Sequence, residues 1–259
     1  MFFANDTSQQ KVYIDDAERG QAYFCPACGG EMIQKKGPVV AHHFAHATGK
    51  ECDSWYAGKL SDWHLKMQHQ FPKHTREIAV WNKEHTEYHV ADVLLQRGNK
   101  KCVVEFQHSP IAQSEFLARS HFYIDCGCQT IWVFDFCECK SPKKIYISDA
   151  EYDNNVIRLV WPGKDRIKFL NGIDFSAFKN NLFVVFHVST GKGTSHPVFY
   201  DYYSWDEWTY NDPFHRDVCF VMLLLNHFDE ADDFFARRYS EEDFFNRLRS
   251  LDGWHYNSA

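Results

Sequence analysis

The order of hydrophobic patterns between residues 53 and 136 constrains the fold more than any other feature of this sequence. Apolar residues recur at spacings near three and four from about Asp53 to Phe71, which predicts an amphipathic helix. Three short runs rich in Val, Ile and aromatic residues follow and predict consecutive strands. These runs are Glu77–Trp81, Glu87–Leu95 and Lys101–Gln107.

A second helical pattern and a continuous apolar run complete this part of the chain. The helical pattern covers about Ile111–Tyr123, and the apolar run Thr130–Phe136 is typical of a strand buried on both faces. The order helix, three strands, helix, strand predicts an α/β core.

The flanking sequence predicts two further regions. Extended segments and turn residues before the core indicate a small hairpin-rich knuckle, and an α+β extension without assigned chemistry follows the core. The predicted domains are residues 1–53, 54–140 and 141–259. In the extension we predict strands at Lys144–Ile147, Val156–Trp161, Ile167–Leu170 and Leu182–Val188, an apolar helix at Phe214–Phe228 and a polar helix at Ser240–Leu251.

Charge and composition limit the possible partners. The 28 Lys and Arg residues against 35 Asp and Glu residues give a net charge of −7, so a nucleic-acid substrate must be argued from a local site. No apolar run reaches the roughly 20 residues of a membrane span, and no export signal is recognisable. We expect a cytoplasmic protein with no membrane partner and reduced or metal-bound cysteines. The sequence does not indicate the oligomeric state.

Two pairs of metal-ligating residues lie near the N-terminus. Cys25 and Cys28 are separated by two residues, as are His43 and His46, and 14 residues lie between the pairs. Thiolate and imidazole are the ligands that four-coordinate zinc prefers, and this spacing predicts a closed, structural zinc site. His42 and Cys52 can each replace one of these ligands. The alternative is a pair of buried thiols beside surface histidines.

Acidic residues mark a second candidate site. Asp92 lies in the second predicted strand, and Glu105 and Gln107 lie two apart in the third, so these two side chains share a face of the sheet. Two carboxylates suit Mg²⁺ or Mn²⁺, and such an ion activates water and stabilises charge in phosphodiester hydrolysis. We therefore predict Asp92 and Glu105 as ligands of a catalytic cation. Taken alone, this pattern favours two solvated strand positions, and the neighbouring motifs are what support a cation site.

The two predicted helices of the core add polar residues. His64 and Gln68 lie four apart on the first helix, so they share a face that can turn toward the acidic residues, and we include them in the catalytic set. Ser109, Glu115 and Arg119 flank the second helix. The start of this helix offers free backbone N–H groups to a phosphate, and Arg119 adds positive charge if it faces the site. We favour an ordinary helix pair of Glu115 and Arg119 and leave both out of that set.

The joint order of these motifs resembles the competence protein CoiA-like nucleases, over about residues 10 to 136. The motifs are Tyr-Phe-Cys-Pro-Ala-Cys-Gly (23–29), His-His-Phe-Ala-His (42–46), Ser-Asp-Trp-His (61–64), Ala-Asp-Val (91–93), Val-Glu-Phe-Gln-His-Ser-Pro-Ile (104–111) and Ile-Trp-Val-Phe-Asp (131–135). The resemblance implies a restriction-endonuclease-like core of the PD-(D/E)XK type. It places the catalytic acids at Asp92 and Glu105, and Gln107 where many relatives of the wider superfamily hold lysine.

The predicted function is metal-dependent hydrolysis of phosphodiester bonds, in DNA with RNA possible, because the resemblance implies DNA handling during uptake and recombination. The first alternative is a catalytically inactive, zinc-containing nucleic-acid-binding module. The second is a protein–protein adaptor that uses the aromatic residues between Phe199 and Trp208 as its contact surface.

Overall fold

The structure is a computed structural model of the chain. It describes residues 1–38, 42–49, 52–53, 61–135, 145–148, 156–160, 170, 172–188, 199–201, 219–223 and 233–251. The chain divides into two compact units, Met1–Leu94 and Leu95–Ala259. Both units combine helices with sheet strands, so the predicted mixed α/β class is confirmed.

The first unit begins with a five-stranded antiparallel sheet in the order β2-β1-β3-β4-β5. Its strands are β1 (Phe3–Asn5), β2 (Lys11–Tyr13), β3 (Tyr23–Phe24), β4 (Glu31–Lys35) and β5 (His43–His46). The sheet packs around a small hydrophobic core that includes Met1, Tyr23, Met32 and Phe44. Val90, which lies much later in the chain, belongs to the same core.

A helix and an antiparallel strand pair follow in the first unit. Helix α1 (Asp62–His69) begins at Ser61, whose side chain accepts a hydrogen bond from the His64 amide. Strands β6 (Arg76–Trp81) and β7 (Tyr88–Arg97) pair antiparallel. Asp53, where the predicted helix begins, lies in a bend, and residues 54–60 fall outside the described residues.

The second unit contains a parallel crossover. Strand β8 (Lys100–Gln107) leads through helix α2 (Gln113–Asp125) to the parallel strand β9 (Gln129–Asp135). Phe116 of α2 packs on Trp132 and Phe134 with ring centroids 5.2 Å and 6.4 Å apart. The Trp132 indole donates a hydrogen bond of 3.0 Å to the Ser120 hydroxyl, so α2 is fixed on one face of β9.

Later strands extend this sheet in the order β8-β9-β12-β14-β15-β11-β10-β13. They are β10 (Ile145–Ser148), β11 (Val156–Val160), β12 (Leu182–Val188), β13 (Phe199–Asp201), β14 (Cys219–Leu223) and β15 (Asp233–Ser240). Helix α3 (Glu241–Ser250) closes the described chain, and Ser240 caps its N-terminus by accepting from the Asp243 amide. No described helix is long and apolar enough to cross a membrane.

One predicted element of the extension is wrong. The sequence predicts a helix at Phe214–Phe228, but Cys219–Leu223 forms β14, paired antiparallel with β12 and β15. A continuous apolar run fits a buried helix and a buried strand equally well, and pairing with neighbouring strands decides between them. Residues 214–218 and 224–228 of that segment, and 167–169 of another predicted strand, lie outside the described residues.

The packing of α2 on β9 predicts which of its side chains contribute most to the free energy of unfolding. Phe116 is fully buried against two aromatic rings, so we expect Phe116→Ala to lower the free energy of unfolding by about 3–5 kcal/mol. Urea unfolding followed by circular dichroism measures this change. Phe122→Ala removes a half-buried ring from the same helix and serves as the control. An equal effect of the two substitutions would contradict the described orientation of α2.

Candidate functional site

The turn after β3 presents two cysteine sulfurs. The Cys25 amide donates to the Gly30 carbonyl at 2.8 Å, and Gly29 has a φ of +72°, which closes the turn. Cys25 Sγ accepts from the Ala27 amide at 3.4 Å, and Cys28 Sγ accepts from the Gly30 amide at 3.3 Å. Both sulfurs are thereby oriented by backbone N–H groups.

Two more ligands complete a cluster. His46 of β5 places Nε2 3.3 Å from Cys28 Sγ, and Cys52 places Sγ 3.7 Å from Cys25 Sγ. The four ligand atoms lie within 4.8 Å of one another. Zinc–sulfur bonds of about 2.3 Å in a tetrahedron hold two sulfurs about 3.8 Å apart. The donor set and its spacing therefore fit a metal ion such as zinc.

The structure brings together three of the four predicted metal ligands. The fourth residue of the cluster is Cys52, and not His43. Residues three apart in a strand point to opposite faces, so His43 and His46 of β5 cannot both turn toward Cys28. His46 is buried, whereas His43 is half-buried and pairs in register with Lys35. The alternation of β5 is the sequence signal that favours Cys52.

The thiols differ in how readily they ionise. Burial raises the pKa of the Cys25 thiol to about 12 and also raises that of Cys52. Burial has the same tendency at Cys28, but hydrogen bonds from the Gly30 amide and the His46 ring outweigh it and lower the pKa to about 7. Because thiolates are the metal-binding form, Cys28 is the ligand most prepared to bind at neutral pH.

The residue after Cys52 fastens the cluster to β7. The buried Asp53 carboxylate accepts a hydrogen bond of 2.6 Å from the Val90 amide, and its other oxygen lies 2.8 Å from His89 Nδ1. The Tyr88 hydroxyl donates to the Cys52 carbonyl at 3.5 Å. The segment that supplies the fourth ligand is therefore anchored on the strand that carries Asp92.

Asp92 lies in a polar cluster with both predicted residues of α1. Its Oδ1 is 3.0 Å from His64 Nε2 and accepts from Gln68 Nε2 at 3.3 Å. Gln68 Nε2 and His64 Nε2 lie 3.2 Å from each other. All three residues are buried, and Asp92 is 8% exposed. Three of the five predicted catalytic residues are therefore brought together in the first unit.

Glu77, which no sequence pattern marks as a site residue, lies level with Asp92 on β6. The pairs Arg76–Val93 and Ile78–Ala91 flank this position in the strand register. Glu77 is buried, has a φ of +48° and accepts a 2.7 Å hydrogen bond from the Phe2 amide. A cavity of about 500 Å³ is lined by Glu77 and Gln68, among others. The cavity therefore lies beside the polar cluster around Asp92, which it contacts through Gln68.

Glu105 and Gln107 lie on β8 in the second unit. Glu105 is 1% exposed and forms an ion pair with Arg119 of α2, for which the sequence alone favours an ordinary helix pair with Glu115. Gln107 Nε2 donates to the Ser109 carbonyl at 2.6 Å. The orientation of α2 about its own axis places Arg119 against Glu105, and sequence spacing does not predict this orientation. Asp92 belongs to the first unit, and a cation shared with Glu105 stays a prediction.

Comparison with known proteins defines the class to which these sites belong. Residues 6–54 match the family model "Competence protein CoiA, N-terminal domain", and residues 86–160 match "Competence protein CoiA, nuclease-like domain". The Cys/His cluster lies in the first match, and Asp92, Glu105 and Arg119 lie in the second. The chain thus contains one region similar to each of the two CoiA domains, and these matches support a CoiA-like assignment.

A curated relative supports this assignment. "Competence protein CoiA" of Bacillus subtilis (strain 168) is 26% identical over 129 residues, which covers 46% of this chain and 32% of the relative. The matched part is about a third of the length of that relative. No solved structure matches this chain.

The geometry of the cluster predicts its metal content. We expect about one metal ion per chain in purified protein, as measured by inductively coupled plasma mass spectrometry. Cys52→Ala should lose most of it, because one of four ligands is removed, while His43→Ala should retain it. Loss of metal in His43→Ala with retention in Cys52→Ala would show that the histidine is the true fourth ligand.

Proposed function

We propose that this protein is a metal-dependent nuclease that hydrolyses phosphodiester bonds in DNA, with a restriction-endonuclease-like core of the PD-(D/E)XK type. The observation that carries the proposal is the burial of two carboxylates, Asp92 and Glu105, on strands of the region matched by the nuclease-like domain. Acidic side chains are rarely buried without a partner or a function. The order α1, β6, β7, β8, α2, β9 agrees with the helix, three strands, helix, strand expected of such a core.

Asp92 and Glu105 are the residues that would hold the catalytic cation. Carboxylate oxygens suit Mg²⁺ or Mn²⁺, which supplies Lewis-acid activation of water and of the phosphate when bound. His64 and Gln68 hold the Asp92 carboxylate in one orientation through hydrogen bonds of 3.0 Å and 3.3 Å. Such fixed polar groups need no rearrangement as charge develops in the reaction.

The Cys/His cluster serves structure in this proposal. Four protein ligands from Cys25, Cys28, His46 and Cys52 would close the coordination of a zinc ion and leave no position for substrate. The first unit's five-stranded sheet has a small core, and a bound metal adds its binding free energy to folding. We therefore assign zinc to the cluster and Mg²⁺ or Mn²⁺ to the carboxylates.

A basic segment next to the polar cluster supports nucleic acid as the substrate. Residues 63–76, from α1 to the start of β6, contain Lys66, Lys73 and Arg76 and no acidic residue, although the whole chain carries a net charge of −7. Lys66 and Lys73 are exposed. Lysine and arginine neutralise backbone phosphates, and they provide affinity that does not depend on base sequence.

Removal of either carboxylate tests the proposed reaction. With Mg²⁺ or Mn²⁺ we expect cleavage of plasmid or single-stranded DNA, and Asp92→Asn and Glu105→Gln should each lower kcat about 10²-fold or more by removing charge at constant size. Asp125→Asn, which changes an exposed carboxylate on α2, is the control. RNA substrates in the same assay decide whether DNA is preferred.

Two results would contradict the proposal. Cleavage that survives both substitutions would refute the site. Binding without cleavage under every divalent metal would identify the inactive nucleic-acid-binding module.

The basic segment makes a separate prediction about binding. In the Glu105→Gln protein, we expect Lys66→Ala and Lys73→Ala each to weaken DNA binding at low salt. Each substitution should also reduce the slope of log K against log salt concentration by about 1, because one phosphate contact is lost. Fluorescence anisotropy over a salt series measures both. Lys83→Ala, in the turn between β6 and β7, should change neither; an equal effect there would mean that the segment is not the contact surface.

A further inference from the structure

We propose that Arg119 supplies positive charge at the phosphodiester centre by binding a phosphate oxygen of the substrate through Nη1. Before substrate binds, the Glu115 carboxylate occupies this nitrogen. This inference rests on the proposed nuclease function and deepens it. Its evidence is the pair of unequal carboxylates that Arg119 contacts in the second unit.

Arg119 is held at the candidate site by buried contacts. Its guanidinium pairs with the buried Glu105 through Nη2 and lies 4.9 Å from the centre of the Trp132 ring. A charge in such surroundings persists only with a charged partner, and arginine suits a fixed, planar contact with a carboxylate. The cation is therefore placed beside a proposed metal ligand by the packing of α2 on β9.

The chemistry of phosphodiester hydrolysis requires such a charge. Negative charge grows on the phosphate oxygens in the transition state, and a positioned cation stabilises it. Gln107, two residues after Glu105 on β8, is neutral, and its amide nitrogen already donates to the Ser109 carbonyl. Among the described residues of the second unit, Arg119 is the cation in contact with Glu105.

The second carboxylate on Arg119 differs from the first. Glu115 lies one turn earlier on α2 with its Oε1 3.4 Å from Arg119 Nη1, and its side chain is 43% exposed, against 1% for Glu105. A pair of this length with one exposed partner is weaker than the fully buried pair, which is costly to break. A phosphate oxygen can therefore replace Glu115 on Nη1 while Nη2 stays with Glu105, because the guanidinium presents several donors in a rigid fork.

A double-mutant cycle on DNA binding tests this exchange without relying on activity. A fluorescein-labelled DNA duplex is titrated with protein in Ca²⁺, and the dissociation constant is measured by anisotropy. We expect Glu115→Gln to tighten binding several-fold in the wild-type background and to have no effect in Arg119→Gln, where no guanidinium remains to be released. Asp125→Asn removes another exposed carboxylate from α2 and should tighten binding less. Equal tightening by Glu115→Gln in both backgrounds would overturn the proposal.

Kinetics and metal binding provide the second arm. We expect Arg119→Gln to lower kcat about 100-fold while Mn²⁺ binding, followed by electron paramagnetic resonance, does not weaken, because a positive neighbour of the ion has been removed. Arg119→Lys, which keeps the charge, should retain part of the activity. Unchanged kcat in Arg119→Gln, or a parallel loss of Mn²⁺ binding, would overturn the proposal.

The two arms separate this inference from the nuclease proposal. If the wild-type protein cleaves no substrate, the nuclease function fails, and the binding cycle still supports or overturns the exchange of Glu115 for phosphate. If Arg119→Gln does not fold, the Glu115→Gln and Arg119→Lys proteins decide: unchanged binding in Glu115→Gln rejects the exchange.

Discussion

Burial of carboxylates is the constraint on which the rest of this structure depends. A buried carboxylate is unfavourable unless hydrogen bonds or an opposite charge compensate it. Three of the five buried carboxylates among the described residues lie at the candidate sites. Asp53 is compensated by Val90 and His89, Asp92 by His64 and Gln68, and Glu105 by Arg119. Each set of contacts joins segments that are distant in sequence, so the polar groups that define the candidate site also determine which elements meet.

Local charge is compatible with the proposed nucleic-acid substrate although the whole chain is acidic. The net charge of −7 is a property of the whole molecule, whereas residues 63–76 are free of acidic side chains and Arg119 places a cation beside Glu105. Electrostatic interactions are screened over about 10 Å at 0.1 M ionic strength. A phosphate at the candidate site is therefore governed by its immediate neighbours more than by distant surface acids.

The sequence predicts features that depend on neighbouring residues, and it does not predict features that depend on how distant segments pack. Periodicities of 3.6 and 2 correctly predict α2, β8 and β9 because helix and strand patterns are read from adjacent residues. The Cys25 and Cys28 pair is likewise local. The prediction of His43 as a ligand rests on a spacing that is incompatible with the alternation of side chains along β5. The run Cys219–Leu223 is ambiguous until its neighbours in the sheet are known. The contact between Arg119 and Glu105 depends on how a helix rotates over a sheet, which no spacing records.

The hydrogen bond from the Val90 amide to Asp53 has a reciprocal thermodynamic consequence. Cys52 and Asp53 are adjacent, so an ion held by the Cys/His cluster also favours the arrangement of β7 in which Val90 is bonded. Linkage makes this coupling reciprocal: the arrangement in which Val90 is bonded raises the affinity of the cluster for its ion by the same coupling free energy, and a change that loosens β7 at Val90 weakens that affinity by at most this amount. Metal binding by the cluster and ordering of the strand that carries Asp92 are thus coupled equilibria.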